Sequence, residues 1–458
     1  MKIFRKIISL AIMTVLLVSA GQVAAYEPPF EPRAEYIKLV NLDTEEVVYS
    51  KNADEECEPA SLTKIMTAVI ALEEYDDWES EKVTVSKKAI DSLVGTDSSI
   101  VGLIPGEVMP MNDVLACLMI SSANDAAVVI AEHISGSQKK FIERMNQKAD
   151  ALGMKKTRFT NPHGLHDRGD HTVTTAEDMY ILSRYAMGLP GFMELAAEVS
   201  YTVAATNKCG DRMISTTNLM MDKLQGKVGE TDYYYGDIDR QTIVQGIKTG
   251  FTDQAGRCLV SSASKDGYNY LLVCMGAPFM DGEGGIIPEN HAFFDTRDFY
   301  DWVFEGFSTK PVVDVNRPVT EIDLEFATGK DKLTLYPKEP VTALVPNEVE
   351  PSSVTLTPYL QSETVAAPVE EGQVLGYAML SLSGQEIGRV DLVCKEDIER
   401  SSWLYLISQV RKAIASKSFL TGVAVFAGLL VIYIVLAAWH NYRKRNKRRT
   451  RRRRNKYD

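Results

Sequence analysis

Residues 419–439, FLTGVAVFAGLLVIYIVLAAW, run for 21 positions without a charged side chain, and no other feature restricts the fold so strongly. At 1.5 Å per residue, a helix of that length spans roughly 30 Å, the thickness of a bilayer's hydrocarbon core. A buried core helix can be as apolar, but it would not run into NYRKRNKRRTRRRRNKYD, which carries eleven Lys and Arg against one Asp. The combination predicts a transmembrane helix over 419–439 and a basic tail over 440–458 that stays in the cytoplasm. The other end agrees. Residues 1–25 hold Lys2, Arg5 and Lys6, an apolar stretch from Ile7 to Val18, and small residues ending in VAA. That is the layout of a signal peptide cleaved after Ala25, since the apolar stretch is short for a span. The expected location is the cell membrane, crossed once, with the folded part exported.

Charge then acquires a direction. Removing the tail's ten net positive charges and the leader's three from the total of −12 leaves −25 on the exported body. So acidic a surface excludes nucleic acid as a partner and disfavours lying flat on anionic lipid. The six cysteines (57, 117, 209, 258, 274 and 394) show neither a C-x-x-C pair nor metal spacing, and most read as small buried apolar residues. Cys258 and Cys274 flank the turn SKDGY almost symmetrically, so they could face each other across a hairpin.

Helical periodicity is clear over 61–74, 111–134, 137–152 and 174–188. Two short strands surround a turn at 41–45. After residue 240 the pattern turns to strands, with Asp266-Gly267 as a hairpin turn. Helices between strands from both chain ends predict an α+β domain, an antiparallel sheet flanked by helices, over 33–290. Short alternating runs predict a small all-β domain over 310–395, read as a spacer. An amphipathic segment over 399–418 (Trp403, Leu404, Ile407, Val410, Ile414) leads into the span.

Chemistry enters at PASLTKIMTA. Ser61 and Lys64 lie one turn apart on one helical face. A serine is a poor nucleophile until a base takes its proton, and a desolvated lysine beside another cation can be that base. S-x-x-K alone is common. Here it is followed in order by Ser122-x-Asn124 in SSAND and by Lys248-Thr249-Gly250 in IKTGFTDQAG, the three-box pattern of serine acyl-transfer enzymes that bind penicillin.

With NPHGLH and TTAEDM added, residues 33–395 resemble the low-molecular-mass penicillin-binding proteins, the serine-type D-alanyl-D-alanine carboxypeptidases. The resemblance implies a penicillin-binding/β-lactamase-like catalytic domain that trims the terminal D-alanine from peptidoglycan stem peptides in cell-wall biogenesis. It also implies covalent inhibition by β-lactams and no cofactor. Carried over, Ser61 forms the acyl-enzyme and Lys64 accepts its proton. Ser122 relays a proton to the leaving amine, and Asn124 orients Lys64 and the substrate amide. Lys248 anchors the terminal carboxylate and lowers the pKa of Lys64. Thr249 adds a hydroxyl to that anchor. Gly250 leaves room for substrate along the strand, and the N–H groups of Ser61 and Phe251 form the oxyanion hole. Ala123 stands where the family more often has glycine, a small change. Arg257, beyond the anchor strand, is expected in a surface ion pair.

Three rivals are weaker. A class A β-lactamase needs an E-x-x-L-N loop, absent from 125–247. A metallohydrolase could use His163, His166, Asp167, Asp170 and His171 of HGLHDRGDH, but the spacing is not H-E-x-x-H and the segment reads as a loop, so no metal is expected. A catalytically dead wall receptor has no reason to keep all three boxes.

Overall fold

The computed structural model describes residues 26–75, 77–96, 98–166, 171–236, 243–382 and 384–454. The expected signal peptide, Asp167 and Asp170 lie outside these residues.

The chain divides into two units, the first running through Lys310 and taking back Ala343–Glu350. Its centre is an antiparallel sheet of β1 (Tyr36–Asn41), β2 (Val47–Lys51), β3 (Val244–Thr252), β4 (Gly256–Lys265) and β5 (Tyr268–Ala277), in the order β2-β1-β5-β4-β3. Both termini of the unit therefore meet in one sheet. The β4–β5 turn falls at Asp266-Gly267, both with positive φ (54° and 85°), the backbone that a two-residue turn matched to strand twist demands.

Side chains along β5 are buried on both faces and alternate between two cores. Leu271, Val273 and Met275 enter one core, packed with α1 (Lys64–Glu74), α2 (Met111–Met119), α3 (Asn124–Ser135), α4 (Gln138–Leu152) and α5 (Ala176–Ala186). Leu272 and Cys274 enter a second core beneath α6 (His291–Gly306), with Phe293, Phe299, Tyr300 and Val303. A central strand buried on both faces needs the near-continuous apolar text that this one has.

Two expectations are corrected here. The helix read over 111–134 is two helices, because Ser122 takes φ +59° and breaks it. The Ser121 hydroxyl and the Ala123 N–H both bond the Cys117 carbonyl at the break. Apolar periodicity misses this because an interruption of four residues nearly restores the 3.6-residue phase. Cys258 and Cys274 are free thiols on opposite faces of the sheet. Cys258 sits in the first core and Cys274 in the second, and the register pairs Cys274 with Leu259.

The second unit is built on a six-stranded sheet of β6 (Thr320–Glu325), β7 (Lys332–Pro337), β8 (Thr355–Leu360), β9 (Thr364–Ala366), β10 (Val374–Leu382) and β11 (Gln385–Val393), in the order β8-β10-β11-β7-β6-β9. It continues into α7 (Ser402–Ala415), capped by Ser401, and α8 (Lys417–Arg454). Trp403, Leu404, Val410 and Ile414 of α7 are exposed. Within Lys417–Arg445 of α8 an 18-residue stretch has a mean hydropathy of 2.6 and is wholly unburied, and the helix is long and apolar enough to cross a bilayer.

Candidate active site

The first box is not a uniform helix. Ala60–Thr63 form a 3-10 turn, and α1 begins at Lys64. In a 3-10 turn the side chains of residues i and i+3 eclipse, which aligns Ser61 and Lys64 more closely than an α-helix would. Lys64 Nζ lies 2.8 Å from Ser61 Oγ and donates to the His163 carbonyl at 2.9 Å. The ammonium stem is fully buried.

The loop that supplies this carbonyl, NPHGL, lies outside the three boxes and helps to form the lysine's pocket. Asn161 Oδ1 accepts from the N–H groups of His163 and Gly164, and Thr67 of α1 donates to the Pro162 carbonyl. Gly164 has φ +87°, and a Cβ there would fall 1.8 Å from the Ala60 carbonyl oxygen. Only glycine lets this turn close on the segment that carries Ser61. His163 itself faces inward, and burial with the Lys64 cation pushes its imidazole down to about 3. It is a neutral fixture at any working pH, not a base.

Lys64 is held well below the ordinary lysine range, first by burial and then by the Lys248 cation, with Asp125 pulling the other way. Lys248, on β3 and 2% exposed, is pushed down to about 7 by burial. Asp125 is spent on structure: its carboxylate accepts from the N–H groups of Val101, Gly102 and Leu103. Two cations sharing one buried site favour the neutral form of at least one of them.

Ser122 and Asn124 come from the break between α2 and α3. Ser122 sits in the left-handed region, a strain of about 1–3 kcal/mol for a non-glycine residue. Among the described residues its hydroxyl has no hydrogen-bond partner in the chain. Asn124 is 2% exposed with an unpartnered Oδ1, so a buried acceptor stands ready for a ligand's donor. It makes no hydrogen bond to Lys64 among the described residues; the His163 carbonyl orients that amine instead.

On β3 the third box meets the first. A Cβ on Gly250 would lie 2.9 Å from the Pro59 carbonyl oxygen and 3.3 Å from Ser61 N. This glycine therefore makes room for the turn that carries Ser61. Thr249 Oγ1 lies 2.5 Å from Thr217 Oγ1, and Thr217 N–H donates to the Ile120 carbonyl. Thr217, which no motif flags, thus ties the third box to the second. Phe251 is 51% exposed and packs edge-on against Phe279, ring centroids 5.1 Å apart. Arg257 makes no surface ion pair among the described residues; its guanidinium donates to the carbonyls of Ile287 and Glu289 and fastens the loop before α6.

A buried lysine bonded to a partly exposed serine beside a second buried lysine fits the serine acyl-transfer pattern on this fold, and comparison with known proteins agrees. The family model for D-alanyl-D-alanine carboxypeptidase matches residues 22–279, more than half of the chain. The chain belongs to the D-alanyl-D-alanine carboxypeptidase family. Residues 307–400 match the C-terminal domain of penicillin-binding protein 5. The carboxypeptidase is 28% identical to D-alanyl-D-alanine carboxypeptidase DacF of Bacillus subtilis over 375 residues, 81% of this chain and 87% of that one. It is 26% identical to DacA of Escherichia coli K12, over 81% and 85% of the two chains. Penicillin-binding protein 5 from Haemophilus influenzae superposes with a TM-score of 0.57 at 26% identity, over 82% of this chain and all of that one. The carboxypeptidase is a serine-type hydrolase of the penicillin-binding class, with an α+β catalytic domain and an all-β domain after it.

Proposed function

We propose that Ser61 is the nucleophile and that neutral Lys64 is its base in removing the terminal D-alanine from peptidoglycan stem peptides. The observation that carries this reading is the fully buried Lys64 amine 2.8 Å from Ser61 Oγ, its charge opposed by burial and by Lys248.

Lys64 takes the Ser61 proton as Oγ bonds the carbonyl carbon of the penultimate D-alanine. The oxyanion faces the N–H groups of Ser61 and Phe251, worth roughly 3–4 kcal/mol per donor in comparable acyl-transfer sites. The C–N bond then breaks, and the proton passes from Lys64 through Ser122 to the leaving amine, freeing D-alanine. Water attacks the ester with Lys64 again as base, which restores Ser61 and releases a peptide shortened by one residue. Asn124 holds the substrate amide through the Oδ1 that has no partner among the described residues. Lys248, Thr249 and Thr217 receive the terminal carboxylate. β-Lactams enter the same path and stop at the acyl-enzyme.

The pH dependence tests these roles. The base must be neutral and the anchor charged, so kcat/KM rises with pH as Lys64 loses its proton and falls as Lys248 loses its own, near 7 in the free enzyme. Lys248→Ala is expected to erase the falling limb and to raise KM for a peptide with a free carboxylate by on the order of 10²-fold. The same variant should lose far less on the C-terminal amide, and that loss should fade at higher pH, where Lys64 becomes neutral without the Lys248 cation. If Lys248→Ala leaves the free-carboxylate peptide unaffected, the anchor is elsewhere.

The apolar helix fits attachment to the membrane. On our reading it crosses once, the Arg-rich end is cytoplasmic, and both folded units face the wall. Deleting residues 419–458 is expected to move the protein from the membrane pellet to the supernatant with penicillin labelling retained. Continued sedimentation with membranes would assign the attachment to the exposed apolar side chains of α7.

A further inference from the structure

The proposed reaction leaves one cluster of strong donors unused. Glu58 lies three residues before Ser61, and His166 follows Gly164 by two. His166 Nδ1 stands 3.1 Å and 3.2 Å from the two carboxylate oxygens of Glu58. The rings of His166 and His171 lie nearly parallel, 11° apart with centroids separated by 5.4 Å. One donor atom from each of the three residues falls within 4.8 Å of the other two. Glu58 is distant in sequence from the two histidines, which is why the text HGLHDRGDH shows no metal-ligand spacing.

An ion pair accounts for Glu58 and His166 but gives no reason for a second imidazole laid against the first. A metal ion does. Two imidazole nitrogens and a carboxylate oxygen form a borderline donor set suited to zinc, with bonds of about 2.0–2.2 Å. Tetrahedral bonds of that length separate donors by roughly 3.4 Å. The Glu58–His166 pair is already at that spacing, and the widest pair must close by roughly 1.4 Å, within reach of side-chain rotation for surface histidines. His163 takes no part, since it is buried and its Nδ1 accepts from the Leu165 N–H.

We propose that Glu58, His166 and His171 bind a zinc-class divalent cation at the rim of the active site, with water completing its coordination. The ion pins the turn carrying the His163 carbonyl to the segment carrying Ser61, and so braces the pocket around Lys64 from outside. It has no part in bond making, and the site does not depend on the acyl-enzyme reading.

The test uses the full-length protein in detergent, stripped with a chelator and dialysed against zinc, with Co²⁺ as a spectroscopic substitute. The expected result is one zinc per chain at micromolar or tighter affinity, visible d–d absorption from bound Co²⁺, and a melting temperature that zinc raises. His166→Ala and His171→Ala should each weaken binding by at least about 10-fold and abolish the thermal shift, while His133→Ala changes neither. Penicillin labelling of the His171→Ala protein reports that it is folded, and would be lost only if the acyl-enzyme site itself failed. Zinc binding that is equal in the native, His166→Ala and His171→Ala proteins, or absent from the native protein at about 100 μM zinc, overturns the proposal.

Discussion

Ser61→Ala is expected to lower kcat/KM for D-alanine release by on the order of 10⁴–10⁶-fold and to abolish covalent penicillin labelling. Deleting the nucleophile of an acyl-enzyme hydrolase removes the pathway, leaving only what substrate positioning and the oxyanion donors supply. A 10⁴-fold loss corresponds to about 5.5 kcal/mol of transition-state stabilisation. The fold should be untouched, because the Ser61 hydroxyl is partly exposed and its one partner, Lys64 Nζ, keeps the His163 carbonyl. Comparing melting curves of the two proteins checks this, and labelling with a fluorescent penicillin reads the chemistry. Either labelling or D-alanine release at native rates in the variant would remove Ser61 from its assigned role.

Lys64→Met is expected to cost about 10²–10⁴-fold in the rate of acylation, the usual weight of a positioned general base, and to change the pH dependence of stability in a defined direction. Both buried lysines have folded-state pKa values below the ordinary lysine value of 10.5. Between its folded value and 10.5 each group binds more protons when unfolded than when folded. Stability therefore rises with pH in that window, by at most about 1.4 kcal/mol per pH unit for each lysine. For Lys248 the window opens near 7. Methionine at position 64 or 248 removes one lysine's share of this slope. Denaturant unfolding at pH 7 and pH 9 measures it, and unchanged slopes in both variants would mean that neither amine is deprotonated on folding.

What the sequence revealed and what it concealed follow from the range of the interactions involved. Ser61 and Lys64 are neighbours along the chain, so spacing alone brings their side chains together. Strands β4 and β5 announce themselves by apolar runs about an Asp-Gly turn, because a hairpin is a local structure. The break at Ser122 escaped periodicity, since its cause is a left-handed backbone and not a change in which face is apolar. Thr217 was invisible for another reason. Its importance is a contact with Thr249 made 32 residues away, and nothing around STTNL marks it. Gly164 carried a signal of sorts: a glycine following His163 in a turn-rich stretch. Its meaning required knowing that the Ala60 carbonyl would stand where a Cβ must go. The bond from Lys64 to the His163 carbonyl was hidden at the same level, because that carbonyl belongs to a residue 99 positions from the lysine.

The arrangement also explains an economy of chemistry. In the proposed mechanism one desolvated amine serves as base for Ser61, and the second, on the facing strand, does two things at once. Lys248 opposes the charge on Lys64, and in that mechanism it goes on to receive the substrate's carboxylate. A carboxylate bound there raises the pKa of Lys248 and screens its cation from Lys64, so the two titrations belong to the pair and shift together.

The most direct test of the neutral base is an NMR titration of the lysine side chains, with the Lys64 signal assigned by its loss in Lys64→Met. We expect Lys64 to titrate well below 10.5 in the native protein and to move upward in Lys248→Met, where the opposing cation is gone. A Lys64 signal that titrates at the ordinary lysine value, indifferent to Lys248, would contradict the mechanism at its foundation.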